Sequence, residues 1–456
     1  MIKGIMRIRI AALVLLTAGF AAAGVLDNAW LMGVTDKHPL LYKVGEEIVF
    51  TVTPRNLTGD IPADTYLLKW ERTGDDGVQD NGQTPLTKEP FVYKTKLDKP
   101  GFVRLYAEVV NKDGKKYQKV FTGDTSTPEG REAANRFERQ SKSIFFDGGA
   151  GAETGTLQAL PEPEDFDAFW DRQRARLAKI PMKAERIELP CNNKDARIYA
   201  ITIDCAGIRP VTGYLTIPKA ADNGAKFPCR LTTHGYSYRA PHNPPGGART
   251  DEIVLDINAH GMRLPAFGGD EGYYKALGSE IKSNGQGYAF DPAENKDPEM
   301  AYFNGMALRV MRALEYLKSL PGWNGKDLFA SGGSQGGLQT IWAAGLDKDV
   351  TLAESSITWC CDLGGERLGR NRGGWYIKWS DGLGYYDAVN VAKRIPTSCR
   401  TIIPRAGLGD YVCPPSGLAI LWNNIKGPKK IIWVQGSQHG YVPPEKYEGR
   451  DFEMEK

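Results

Sequence analysis

Histidine is scarce in this chain of 456 residues: His38, His234, His242, His260 and His439 are all it has. A mechanism that needs an imidazole base therefore has few places to put one, and each can be weighed by position. Cysteine is also sparse at the start. Of seven cysteines none falls between Gly24 and Pro190, so the first folded region carries no disulfide. Cys191 and Cys205 flank a hairpin turning at Asn192 to Asp195, in a register that makes them poor partners. No cysteine or histidine spacing resembles a zinc site, and neither a metal nor a cofactor is expected. Buried free thiols are the expected state of Cys360, Cys361, Cys399 and Cys413. Charge of one sign is missing too. A net charge of +3 gives no basic excess for nucleic acid, and no run of like charges marks an interaction tail.

Long apolar runs are confined to the N-terminus. Lys3, Arg7 and Arg9 precede an apolar run from Ile10 to Phe20, and Ala21-Ala22-Ala23 follows. That order is a signal peptide over 1–23, cut before Gly24. The run is too short to span a bilayer comfortably. The expectation is an exported protein, periplasmic or secreted, free of the membrane once cleaved.

Residues 24–123 read as all-β. Ile48, Phe50 and Val52 alternate with neighbours, as do Val103, Leu105, Ala107 and Val109. The second strand ends at the turn Asn111 to Gly114, with Tyr117 to Phe121 as its hairpin partner. Short strands with Gly, Asp and Pro turns predict an immunoglobulin-like sandwich without its disulfide. Residues 124–160 read as a linker, because the run Gly148-Gly149-Ala150-Gly151 argues against a packed element. On that reading a chain beginning near Ala152 keeps some activity. From Pro161 the pattern changes. Asp165 is placed as the N-cap of a helix over 166–180, and a long helix is expected over 300–319. Strands at 211–217, 227–233, 253–257, 327–331, 350–357, 401–404 and 430–434 alternate with helical stretches. Residues 161–456 are therefore expected to form an α/β domain with a doubly wound, mostly parallel sheet.

The chemistry-bearing stretch is Gly332-Gly333-Ser334-Gln335-Gly336-Gly337. It sits between a strand and an Ala- and Leu-rich helix, the setting of the nucleophile elbow of α/β-hydrolases. A serine hydroxyl needs a neighbouring base. In this fold the chain order is serine, acid, histidine, and His439 alone among the histidines follows Ser334. It lies in a loop directly after the strand 430–434. Asp410 follows the strand 401–404 and is the preferred acid; Asp362, Asp381 and Asp387 compete, with Asp387 better explained as a helix cap. The oxyanion donors are placed at the backbone N–H groups of Gln335 and Tyr236, the latter in His234-Gly235-Tyr236, with His234 itself read as structural.

These residues resemble a known family. The elbow, His234-Gly235-Tyr236 and Asp410-x-x-Cys413-Pro414-Pro415-Ser416 together look like carbohydrate esterase family seven, the acetyl xylan esterases and cephalosporin-C deacetylases. Pro163 to Trp170 and Tyr386 to Ile395 resemble further blocks, and the likeness runs over about 160–445. The resemblance implies a triad of Ser334, Asp410 and His439, oxyanion donors at Tyr236 and Gln335, and an acetylated oligosaccharide or polysaccharide as substrate. Known members form hexameric rings, so it also implies a homo-oligomer. The chain departs from the family at Asn258-Ala259-His260-Gly261, where Arg-Gly-Gln-Gly is usual, in an insertion over 264–286, and in the extra β region. Two other readings remain open on the residues: a prolyl-oligopeptidase-like peptidase, although 24–123 is too short for a propeller, and a non-catalytic carbohydrate-binding protein.

Overall fold

The structure, a computed structural model, describes residues 24–121, 123–138, 141–238, 248–282 and 284–456. The signal-peptide reading of 1–23 lies outside the described residues. Among the described residues no helix is long and apolar enough to cross a membrane.

Seven strands come first: β1 (Trp30–Thr35), β2 (Ile48–Arg55), β3 (Tyr66–Gly74), β4 (Asp80–Pro85), β5 (Phe91–Thr95), β6 (Gly101–Asn111) and, after helix α1 (Pro128–Glu138), β7 (Phe145–Ala152). They build two antiparallel sheets, ordered β1-β2-β5 and β4-β3-β6-β7. Period-two alternation puts Ile48, Phe50 and Val52 of one sheet and Leu105, Ala107 and Val109 of the other into one shared core. The linker reading fails at its centre. The glycine run is strand β7, buried along its whole length and paired with β6 from Gly101↔Ala152 to Glu108↔Phe145. Glycine breaks many packed elements, but in a strand it also marks close approach of another backbone. The hairpin expected at 117–121 reduces to a turn, with an isolated bridge between Val110 and Lys116; the main partners of β6 are β3 and β7.

The second region follows helix α2 (Phe166–Ala178). Asp165 stands at its N-cap position but makes no cap bond; its carboxylate instead engages Arg172 and Tyr385. The strands are β8 (Ala184–Leu189), β9 (Ala196–Ile203), β10 (Val211–Pro218), β11 (Phe227–Thr233) and β12 (Ile253–Ile257). After helices α3 (Glu271–Glu280) and α4 (Tyr302–Ser319) come β13 (Trp323–Gly333), α5 (Gln335–Leu346), β14 (Leu352–Ser356), α6 (Ala388–Val391), β15 (Arg400–Gly407), α7 (Pro415–Asn424), β16 (Lys429–Val434) and β17 (Asp451–Glu455). The ten strands form one sheet in the order β17-β16-β15-β14-β13-β11-β12-β10-β9-β8. Its six central strands, β16 through β12 in that order, are parallel to their neighbours, and antiparallel strands flank them. Helix α5 is buried along its full length, which its Gly, Ala, Leu and Trp content permits. The registers Thr233↔Gly332, Gly333↔Ser356 and Gly407↔Val434 bring the carboxyl ends of β11, β13, β14, β15 and β16 to one edge. Loops leaving that edge are where sites form in open α/β sheets.

Candidate active site

Ser334 stands at the turn between β13 and α5 with φ 58° and ψ −118°. A non-glycine residue held there stores strain of about 1–3 kcal/mol and persists because its surroundings fix it. Its N–H donates to Ser356 O (2.9 Å), and its carbonyl accepts from Leu338 N (3.0 Å) and Trp359 N (3.1 Å). The motif glycines are spatial requirements. A Cβ on Gly332 would lie 2.6 Å from Gly336 O, and one on Gly336 would lie 2.4 Å from Thr233 O. The glycine between the strand and the serine is different: a Cβ on Gly333 would meet only Ser356, at ordinary contact distance.

The Ser334 hydroxyl lies 3.0 Å from His439 Nε2, and His439 Nδ1 lies 2.9 Å from Asp410 Oδ2. With Nδ1–H donating to the carboxylate, Nε2 is left as acceptor for the serine proton. Asp410 is buried, and its Oδ1 accepts the N–H groups of Val412 (3.1 Å) and Cys413 (3.0 Å). The competing carboxylates are elsewhere. Asp362 pairs with Arg370, Asp381 is exposed near Arg367, and Asp387 accepts from the backbone of Asp362, Leu363 and Val389, the last as a helix cap. Burial, with Asp362 nearby, pushes the Asp387 carboxyl up to about 7.

The segment His234-Gly235-Tyr236 packs on the elbow: a Cβ on Gly235 would lie 3.8 Å from Gly333 O. The backbone N–H groups of Tyr236 and Gln335 have no acceptor among the described residues, as expected of Gln335 at the first position of α5. His234 accepts from Ala259 N through Nε2 and contacts Gly235 O through Nδ1, which fixes its tautomer and its place in the loop. His260 is buried, between Ser237 O and the Tyr302 hydroxyl (2.7 Å each), and burial pushes it down to about 3. It is a neutral brace for the Tyr236 loop at the point where the sequence departs from the family pattern.

Asp410, Cys413 and His439 gather their possible ligand atoms within 4.8 Å of one another. The cluster fits a metal poorly. Burial pushes the Cys413 thiol well up, its sulfur lies 3.1 Å from Ile357 O, and the Nδ1 of His439 is engaged by Asp410. All seven cysteines are unpaired.

Several residues were invisible to sequence reasoning. Tyr236 stacks on Tyr288 (ring centroids 4.0 Å), whose hydroxyl donates to Gln335 Oε1 (2.7 Å). Trp375 lies edge-on to Tyr236 (4.8 Å) and stacked with Trp359 (5.3 Å). These rings form an aromatic wall beside Ser334, assembled from separated loops with no motif to announce them. Ile357, Cys360 and Asp362 all hold positive φ in the loop after β14. The β-branched Ile357 is pinned there by Arg405 O and the Cys413 thiol.

The largest surprise is the first β region. Gly149 N and O bond the two ends of the Gln435 side-chain amide (2.9 Å each), and Gln438 donates to Asp147 (2.6 Å). Asp147 is fully buried and held by a bidentate Arg104 (2.7 and 2.6 Å), whose guanidinium lies over Tyr411. A Cβ on Gly409 would lie 2.0 Å from Asp147 O, so β7 lies directly against the Asp410 loop. Asp75 accepts from Asn371 N (2.8 Å), which ties down the loop carrying Trp375.

Against known proteins, the model of the acetyl xylan esterase family matches residues 157–365 and 378–453. The chain belongs to that family. Over 297 residues it is 30% identical to the acetyl esterase Axe7A of Xylanibacter ruminicola, a stretch that is 61% of this chain and 63% of that protein. The match thus spans less than two thirds of that relative's length. Among solved structures, an acetyl xylan esterase from Paenibacillus sp. R4 superposes with a TM-score of 0.52 at 25% identity, covering 63% of this chain and 92% of that one. The family's model begins after β7, so the brace from β6 and β7 comes from residues ahead of the matched stretch.

Proposed function

We propose that this chain is a serine esterase that removes O-acetyl groups from xylan, xylo-oligosaccharides or related acetylated carbohydrates. The observation that carries the reading is the continuous hydrogen-bonded line from Ser334 through His439 to Asp410. Membership of the acetyl xylan esterase family supports the choice of bond. His439 takes the Ser334 proton as the hydroxyl attacks the ester carbonyl, and buried Asp410 stabilises the imidazolium. The N–H groups of Gln335 and Tyr236 hold the oxyanion. The deacetylated sugar leaves with the proton from His439. Water, deprotonated by His439, then attacks the acetyl-enzyme and releases acetate.

The finer structural readings belong to the same proposal. The sheet is that of an α/β-hydrolase, supported by the strand–elbow–helix at Ser334. The first seven strands are an immunoglobulin-like sandwich, supported by two antiparallel sheets over one core. The protein is exported, on the strength of the basic and apolar residues of 1–23.

The test is acetate release from acetylated xylo-oligosaccharides, side by side with other acetylated sugars. Ser334→Ala should lower turnover of nitrophenyl acetate by about 10⁵-fold or more with the fold intact. Activity near wild type in that variant removes the reading.

A further inference from the structure

A cleft of about 830 Å³ lies between the first β region and the loop that carries His439. Gln438 and Gly440, the neighbours of His439 on either side, both line it. It therefore begins one residue from the proposed base, on the side of the molecule built by β1, β7 and α1. Its volume is in the range of sites that enclose a sizeable ligand.

The lining has a definite chemistry. Trp30, Phe137, Phe145 and Tyr441 supply rings, with Phe145 and Tyr441 packed at 4.8 Å. Amides edge the rings. Asn28 is exposed and makes no hydrogen bond with another described residue. Asp27 and Lys119 contribute one charge of each sign, so the wall has no surplus to attract an ion. Flat apolar faces bordered by amide groups suit a pyranose ring, whose C–H face packs on an aromatic ring while its hydroxyls bond the edges. The walls are also fixed to one another. Asn56 on the first region bonds Glu445 (2.6 Å), and Tyr447 donates to Gly33 O (3.1 Å). A cleft held open in this way loses little order on filling.

We propose that this cleft is a sugar-binding subsite that holds the neutral xylan main chain beyond the acetylated residue at Ser334. The proposal rests on the esterase reading for the identity of the chain. It gives the first β region a part in substrate choice: acetyl groups on an oligosaccharide long enough to reach the cleft are preferred over those on a single sugar.

The test uses the full-length protein and Asn28→Trp, which places a large side chain in the cleft from an exposed position, with Phe137→Ala as a second variant on α1. The kcat/KM for acetylated xylohexaose, divided by that for nitrophenyl acetate, should fall about tenfold or more in Asn28→Trp, through KM. Calorimetric titration with unacetylated xylohexaose should show binding to wild type, weakened about tenfold or more in Asn28→Trp and weakened in Phe137→Ala. An unchanged ratio, or equal xylohexaose affinity in all three proteins, overturns the subsite. The titration needs no turnover. If no acetate is released from any sugar yet xylohexaose binding depends on Asn28, the esterase reading falls and the subsite stands.

Discussion

Two glycine-rich stretches bear on the same site, and they look alike only in composition. At 332–337 the glycines let a strand turn sharply into a helix and lift Ser334 out at φ 58°. At 148–151 they let strand β7 lie against the loops of Asp410 and His439, with Gly149 clamped by the Gln435 amide. The first stretch has a motif because its geometry is local. The second has none, because what its glycines avoid is brought in from elsewhere in the chain: a Cβ on Gly149 would lie 2.7 Å from Val103 O and 2.8 Å from Leu408 O, and one on Gly148 would lie 2.2 Å from the Gln435 side chain. Gly332, Gly336 and Gly149 therefore each mark close approach of another backbone.

The comparison can be broken at the point where the two stretches meet, the Asp410 loop. Asp410→Asn should keep the fold and cut turnover of nitrophenyl acetate by roughly 10⁴, because the amide favours the wrong tautomer of His439. Asp381→Asn, at an exposed position, should leave turnover near wild type. An equal loss in both would mean that the buried line to His439 does not matter.

Removing the second stretch altogether is the next test. A chain beginning at Ala152 loses Asp147, Arg104 and Gly149, which hold Gln438, Tyr411 and Gln435. We expect at least about a 100-fold loss of kcat or an insoluble product, since misplacing reacting groups by about 1 Å has that effect. A soluble fragment with full activity would return β7 to the role of linker.

Single substitutions sharpen the contrast within each stretch. Gly149→Ala would put a Cβ 2.7–2.8 Å from the carbonyls of Val103 and Leu408, and should cost about 1–3 kcal/mol in urea unfolding. Gly333→Ala faces only Ser356 at 3.8 Å or more and should be neutral or stabilising by up to about 1 kcal/mol. Equal effects would show that close approach does not distinguish the two runs.

His260 adds a pH dependence. Its folded value, about 3, lies below the ordinary value near 6.5, so the unfolded chain binds the extra proton. Its contribution to stability is present above about pH 6.5 and is lost as the pH falls toward 3, by up to about 1.4 kcal/mol per pH unit. Urea unfolding at pH 7 and pH 5 should show this slope flattened in His260→Gln. The same slope in the variant would assign the acid sensitivity to other groups.

Much of the site was legible because its signals are local. The elbow needs its glycines within two residues of Ser334. Asp410 and His439 each follow a strand of plain apolar pattern, in the only chain order this fold allows, and His439 had no rival. The misreadings have separate causes. Strand β7 carries few side chains that alternate, so its pairing with β6 left no period to read. Asp165 has a capping residue type at a capping position, but Arg172 and Tyr385 offer its carboxylate other partners.

The sequence by itself determined the strands β10 through β16, the serine at its turn, and the chain order Ser334, Asp410, His439, because each rests on residues adjacent in the chain. Only the tertiary structure decided that Asp147 and Gln435 lock the first β region onto the His439 loop, that Trp375 reaches Tyr236, and that Trp30, Phe137 and Phe145 meet Tyr441 along a cleft beside His439. Those are matters of backbones and rings meeting across hundreds of residues, and a hydrogen bond between Gly149 and Gln435 leaves no period, motif or charge pattern in either segment.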